Sequence, residues 1–207
     1  RLDTKIGLAT CGMSDYNRES GVRVTRDVEE FKPLGESVLT IGRFDGVHRG
    51  HVDLVRAVIR AAAVDHIESS IVVVLWPPPE WILRPSESRA LLTTLEDRLN
   101  LLSELGVSDV VVLPFDKELS EQEPEEFIRF LKARFLMRKF VTGPNAAIGR
   151  NRSGTTSTLA RIAERVGFDH VTVPPKGMTG EISSSRARQA FEDGDIVSVK
   201  NILGRLH

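Results

Sequence analysis

Two histidines, His48 and His51, stand three residues apart in the stretch T-I-G-R-F-D-G-V-H-R-G-H, residues 40–51. Three glycines, Gly42, Gly46 and Gly50, share it. A β-rich run at 37–41 leads in, and the apolar spacing and alanine content of 52–64 predict a helix directly behind. Strand, glycine loop and helix start together make an anion site, because backbone N–H groups and the positive end of the helix dipole face one spot. At this spacing both imidazoles can reach one bound group as neutral or cationic donors. No G-x-x-x-x-G-K-[ST] and no G-x-G-x-x-G occurs, which excludes the usual phosphate loops. Either histidine alone could be a surface residue or a tie holding the loop. Asp45, His48 and His51 could also be read as metal ligands, though no H-E-x-x-H accompanies them.

Elements that alternate between strand and helix must position this loop. Residues 21–32 read as a short strand and turn, and 69–75 as an apolar strand buried on both faces, stopped by Trp76-Pro77-Pro78-Pro79. A helix is predicted over 93–105, with Thr93 and Glu96 as a capping box and a stripe of Leu95, Leu99, Leu102 and Leu105. A strand at 109–113 follows, then a helix over 124–137 that Ser120 and Glu123 would cap. Residues 140–142 and 169–173 complete five strands; between them lie a glycine- and arginine-bearing loop, 143–154, and a helix, 155–166. A loop at 174–181 and two short helices close the chain. The pattern implies an α/β fold, a doubly wound, mainly parallel five-stranded sheet with helices on both faces. Ligands in such sheets lie beyond the carboxyl ends of the strands, where strand order reverses. The loops after residues 42, 75, 142 and 173 all belong to that rim.

The chain has 207 residues, enough for one domain with a substantial core, and 41% hydrophobic with 28% charged residues is ordinary for a globular protein. Residues 1–20 read as an extension or linker and 21–207 as the domain. Against 28 basic residues there are 29 acidic ones, and the net charge of -1 argues against nucleic-acid and anionic-membrane partners. The single cysteine, Cys11, excludes an intrachain disulfide and suits a reducing cytoplasm. The longest apolar run, 71–76, is too short to span a bilayer, and no signal-peptide pattern opens the chain. Because the first residue is Arg1, a trimmed or processed start is expected.

A second constellation, E-I-S-S-S-R-A-R at 181–188, precedes a helical segment. Ser183, Ser184 and Ser185 can cap that helix or, with Arg186 and Arg188, meet a phosphate. Alone, the stretch reads first as a cap with solvent-facing arginines, as most such runs do. Taken together, G-x-F-D-G-x-H-x-G-H and I-S-S-S-x-x-R resemble the motifs of the nucleotidylyltransferase superfamily, in the form carried by bacterial FAD synthetases. Gly42, Phe44, Asp45, Gly46, His48, Gly50 and His51 match the first motif. Ile182, Ser183, Ser184 and Arg188 match the second, with Ser185 in the place of a threonine. The resemblance runs over about residues 21–205, where Gly194-Asp195 and Leu203-Gly204-Arg205 look like the end of the same domain.

It implies a Rossmann-like fold and adenylyl transfer, with ATP and FMN giving FAD and pyrophosphate and Mg²⁺ as the accompanying ion. His48, His51 and Arg188 would be the catalytic residues. Gly42, Phe44, Asp45, Gly46, Gly50, Ser183, Ser184 and Ser185 would bind the nucleotide. Pro77, Asn145 and Arg152 would lie towards the acceptor, with Asn145 also a metal ligand. Two loops depart from the family. Where it usually has G-x-[ND]-F-x-F-G, residues 143–149 keep Gly143, Asn145 and Gly149 without either aromatic. Where it tends to F-x-P-H-P, residues 75–79 read L-W-P-P-P. A lost aromatic contact costs about 1 kcal/mol, and Trp76 or Trp81 could compensate. Two alternatives stay open: the same chemistry on another phosphorylated or hydroxylated acceptor, and a nucleotide-binding module without turnover. In the family such a module often precedes a riboflavin kinase domain. Nothing of that kind follows Leu206-His207, and kinase activity is expected to be absent from this segment.

Overall fold

The computed structural model describes residues 15–17, 21–87, 89–174 and 182–205. The predicted loop at 174–181 thus lies, beyond Pro174, outside the described residues, as do most of 1–20 and residues 206–207.

Three strands and a helix make the centre: β3 (Ser37–Gly42), α1 (Arg49–Val64), β4 (Ser69–Trp76) and β5 (Asp109–Pro114). They follow β1 (Asp15–Asn17) and β2 (Val22–Thr25). Between β4 and β5 lie α2 (Pro79–Leu83) and α3 (Leu95–Ser103); after β5 come α4 (Lys117–Glu121), α5 (Pro124–Phe135) and β6 (Met137–Thr142). A small hairpin, β7 (Ala147–Ile148) with β8 (Gly154–Thr155), leads to α6 (Thr156–Val166) and β9 (Asp169–Thr172). The helices α7 (Ser184–Glu192) and α8 (Ile196–Leu203) follow.

The main sheet runs β1-β2-β5-β4-β3-β6-β9, and every neighbouring pair is parallel except β1 with β2. It has seven strands, not the five expected. The short V-R-V-T segment of β2 joins β5 as a sixth parallel strand, and the polar D-Y-N of β1, expected in the extension, adds an antiparallel edge. Neither carries the long apolar run that marks a buried strand.

The pleat of β4 explains the two layers of core. Ile71 and Val73 face Phe127, Ile128 and Leu131 of α5 and Leu159 and Ile162 of α6. Val72 and Val74 face Val55 of α1 and Leu99 and Leu102 of α3. Period-2 alternation on a run that is apolar throughout therefore feeds both faces.

Three helix starts differ from expectation, the first being α1, which begins at Arg49 and not at residue 52 because His48 caps it. The cap of α3 is Thr94 with Asp97, one residue later than predicted, because the Thr93 hydroxyl serves the histidine loop instead. Ser120 lies inside α4, and α5 is capped by Glu123 paired with Glu126. That helix stops at Phe135, where Leu136 turns left-handed (φ 49°) and the chain enters β6 three residues earlier than predicted.

Chain order runs outwards from β3 through β4 to β5, then returns to place β6 on the other side of β3. Strand order reverses at β3, and the loop leaving its carboxyl end carries the histidines.

Candidate functional site

His48 is the N-cap of α1, and its Nδ1 accepts the backbone N–H of His51 at 3.3 Å. A ring nitrogen that accepts cannot carry the proton, so the neutral ring holds it on Nε2. The two imidazoles stack face to face, centroids 3.6 Å apart and planes 13° from parallel. Phe44, buried under them in a left-handed conformation, meets the His51 ring edge-on at 5.1 Å.

Burial pulls the pKa of His48 down to about 4, against the opposing pull of its own backbone hydrogen bond and of Asp45. Burial, reinforced by the charges of His48, Arg43 and Arg98, holds His51 well below its ordinary value. Near neutral pH both rings therefore favour the neutral form, in which each keeps one N–H to donate.

Beneath the rings the loop is fastened by charge. The Asp45 carboxylate accepts from the backbone N–H groups of Leu92 and Thr93 (3.0 and 3.2 Å), from Arg98 (3.0 Å) and from Arg188 (2.8 Å). Arg98 is fully buried; it also donates to the carbonyls of Arg43 (2.7 Å) and Thr93 (3.1 Å). Thr93 accepts the N–H of Gly46 at 3.0 Å, and Arg205 donates to the carbonyls of Gly46 (2.7 Å) and Val47 (3.1 Å). Two guanidiniums on one carboxylate leave the junction with a surplus positive charge just below the imidazoles.

The two constellations singled out in the sequence meet here. Ser183 caps α7, accepting from the N–H of Arg186 at 3.3 Å. Ser184 is buried and donates to the carbonyl of Asp45 at 2.8 Å. A Cβ placed on Gly50 would come within 3.3 Å of the His48 ring and 3.7 Å of Ile182. The starts of α1 and α7 are thus packed against one another. Ser185 is exposed. At this junction Nδ1 of His51 and Nε of Arg188 are buried with no hydrogen-bond partner among the described residues.

The glycines divide by role. Gly46 has φ +78°, and a Cβ there would come within 2.8 Å of Leu92, so its freedom serves the fold. A Cβ on Gly42 would press on the Phe44 ring at 3.3 Å. Phe44, Asp45, Gly46 and Ser184 lie inside the scaffold of the loop, while His51, Gly50, Ser183 and Ser185 keep exposure.

Flanking loops leave β4 and β6, the neighbours of β3. After β4, Trp76 joins Pro77 through a cis peptide bond, and its ring lies 5.7 Å from that of Trp81, which is 38% exposed. The Arg98 guanidinium lies over the Trp76 ring at 5.5 Å. After β6, Asn145 and Arg152 are exposed on the loop around the β7–β8 hairpin, with no contact tying either to the histidines. Among the described residues no cluster of three His, Cys, Asp or Glu side chains could hold a metal ion. The metal reading of Asp45, His48 and His51 fails because the carboxylate is spent on arginines. None of the described helices is long and apolar enough to cross a membrane.

Arg98, Thr93 and Arg205 were not among the residues the sequence singled out for the site. Arg98 had left a signal: it occupies the apolar stripe of its helix, three residues after Leu95 and four before Leu102, where an unpaired charge would be costly.

A doubly wound parallel sheet, with a two-histidine loop at its point of reversal and a serine-capped helix against it, is a nucleotidyltransferase-like α/β domain. The chain belongs to the FAD synthetase family, whose model matches residues 31–187. It is 31% identical over 174 residues to the bifunctional riboflavin kinase/FMN adenylyltransferase of Escherichia coli K12, covering 83% of this chain and 55% of that protein. It is 32% identical over 171 residues to a putative bifunctional riboflavin kinase/FMN adenylyltransferase of Geobacillus thermodenitrificans, covering 83% and 91%. The chain thus spans about half the length of the Escherichia coli relative. A solved structure described as a macrolide-efflux protein from Streptococcus pneumoniae superposes with a TM-score of 0.75 at 24% identity, over 88% of this chain and 59% of that one. At that identity the likeness concerns the fold alone.

Proposed function

We propose that this domain transfers the adenylyl group of ATP to FMN, giving FAD and pyrophosphate. The observation that carries the reading is the docking of the α7 start on the histidine loop through the 2.8 Å bond from Ser184 to the Asp45 carbonyl. In this reading two helix N-termini, two neutral imidazoles and Arg188 would serve one polyphosphate. The terminal phosphate of FMN attacks the α-phosphorus of ATP in line, the bond to the bridging oxygen breaks, and pyrophosphate leaves with that electron pair. No protein nucleophile is needed, since positioning and charge stabilisation lower the barrier in phosphoryl-type transfer.

In this reading His48, through Nε2–H, and His51 donate to phosphate oxygens as negative charge grows on the leaving group. Arg188 and Arg98, sharing Asp45, supply a fixed positive field. Half-buried Ser183, exposed Ser185 and the backbone at Gly50 complete the nucleotide contacts, with Gly42, Phe44, Asp45, Gly46 and Ser184 holding the loop in shape. Mg²⁺ supplies charge neutralisation when it arrives on the triphosphate. Asp45 is unavailable to it, which leaves Asn145 as the one protein ligand we assign. Pro77, Asn145 and Arg152, on the loops either side of β3, would line the acceptor side, where the Trp76–Trp81 pair offers the aromatic surface that residues 145–148 lack. FMN would come from a riboflavin kinase activity, the other half of the relatives' names, and the location we propose is the cytoplasm.

The altered acceptor loops favour one second reading, the same transfer to a different phosphorylated metabolite. An acceptor screen scored by pyrophosphate release separates the two. FMN as the best acceptor supports the first reading, and release only with another acceptor supports the second.

A further inference from the structure

The histidine loop carries two charged side chains before His48, and they meet opposite fates. Asp45 is buried and committed to Arg98 and Arg188. Arg43 faces outwards with its side chain 39% exposed, and its guanidinium pairs with Glu80 in the first turn of α2. Its backbone is not free to drift, because Arg98 holds its carbonyl at 2.7 Å. Its charge is near enough to disfavour protonation of both His48 and His51.

A cation with a fixed base and a reachable head group therefore stands beside the two imidazoles. Its partner belongs to another wall, the segment that follows Pro77 and carries Trp81. The pair is half-buried and still reached by solvent, which screens it, whereas a polyphosphate offers several oxygens to the planar fork of a guanidinium.

We propose that Arg43 is a further nucleotide-binding residue and Glu80 its stand-in anion: when ATP binds, Arg43 exchanges Glu80 for the polyphosphate. The exchange releases the α2 segment on the acceptor side, so nucleotide occupancy is communicated to the wall that meets the second substrate. This deepens the adenylyltransferase reading and rests on it.

The test is the dissociation constant for ATP with Mg²⁺, without acceptor, measured by titration calorimetry on the unaltered chain and on three variants. Removing one charged hydrogen bond in Arg43→Gln should weaken binding roughly tenfold or more. Glu80→Gln removes the competitor and should tighten binding. The double variant should match Arg43→Gln, because Glu80 acts only through Arg43. Glu80→Gln weakening ATP as Arg43→Gln does would make the pair a structural strut and overturn the proposal. Binding that ignores both substitutions would overturn it too, leaving the adenylyltransferase reading intact. No ATP binding by the unaltered chain would overturn both.

Discussion

Asp45→Asn isolates the charge that holds the histidine loop together. The amide keeps the shape of the side chain and one acceptor oxygen, but removes the negative charge shared by Arg98 and Arg188. Both arginines are buried, with side-chain exposures of 0 and 9%, and Asp45 is at 2%. Stripping the partner from a buried ion pair costs about 3–5 kcal/mol, since the remaining charge is left uncompensated. For a chain of this size each kcal/mol moves Tm by about 2–4 °C, so Tm should fall by about 6–20 °C. Urea unfolding followed by circular dichroism should show a lower midpoint with an unchanged slope, the sign of lost stability without a change in compactness. Glu96→Gln is the matched control: its pair with Arg26 has side-chain exposures of 59 and 43%, and exposed pairs contribute about 1 kcal/mol or less. Asp45→Asn losing no more than that control would refute the reading of Asp45 as the buried fastening of the loop.

Acid should loosen the same loop. Unfolded, His48 titrates near 6.5; folded, it titrates at about 4. The unfolded chain therefore binds more protons between those values, and stability is lost as pH falls through that window, by roughly 3 kcal/mol in all. His48→Asn, which can still cap α1, should flatten that part of a stability–pH curve measured by denaturation. Ser184→Ala should cost about 1 kcal/mol of stability, the worth of its bond to the Asp45 carbonyl. Ser185→Ala should leave stability unchanged and raise KM for ATP; denaturation and steady-state kinetics on the two variants separate scaffold from contact.

The site was legible in the sequence where chemistry needs particular side chains at short spacing. The H-x-x-H pair and the serine run lie within a dozen residues each, and each marks a helix start by its own capping chemistry. What joins them was not legible. The contacts from Asp45 to Arg98 and Arg188 span 53 and 143 residues, and no local pattern encodes a partner so distant. Arg98 came nearest, as a charge on an apolar stripe. The same division holds for the fold. β4 and β5 announce themselves as runs of valine and isoleucine buried on both faces. β1 and β2 are edge segments whose place depends on a neighbour elsewhere in the chain. At Thr93 and Thr94 both residues suit a cap three before an acidic residue, and a tertiary demand, the Gly46 N–H, decided which one capped the helix.

The most direct measurement is mass spectrometry of a mixture of the protein, ATP, Mg²⁺ and FMN, alongside His51→Ala. The account predicts FAD and pyrophosphate in equal amounts from the unaltered chain, and a severe loss of turnover in a variant that still folds. Undiminished FAD formation by His51→Ala, or none by the unaltered chain, would contradict it.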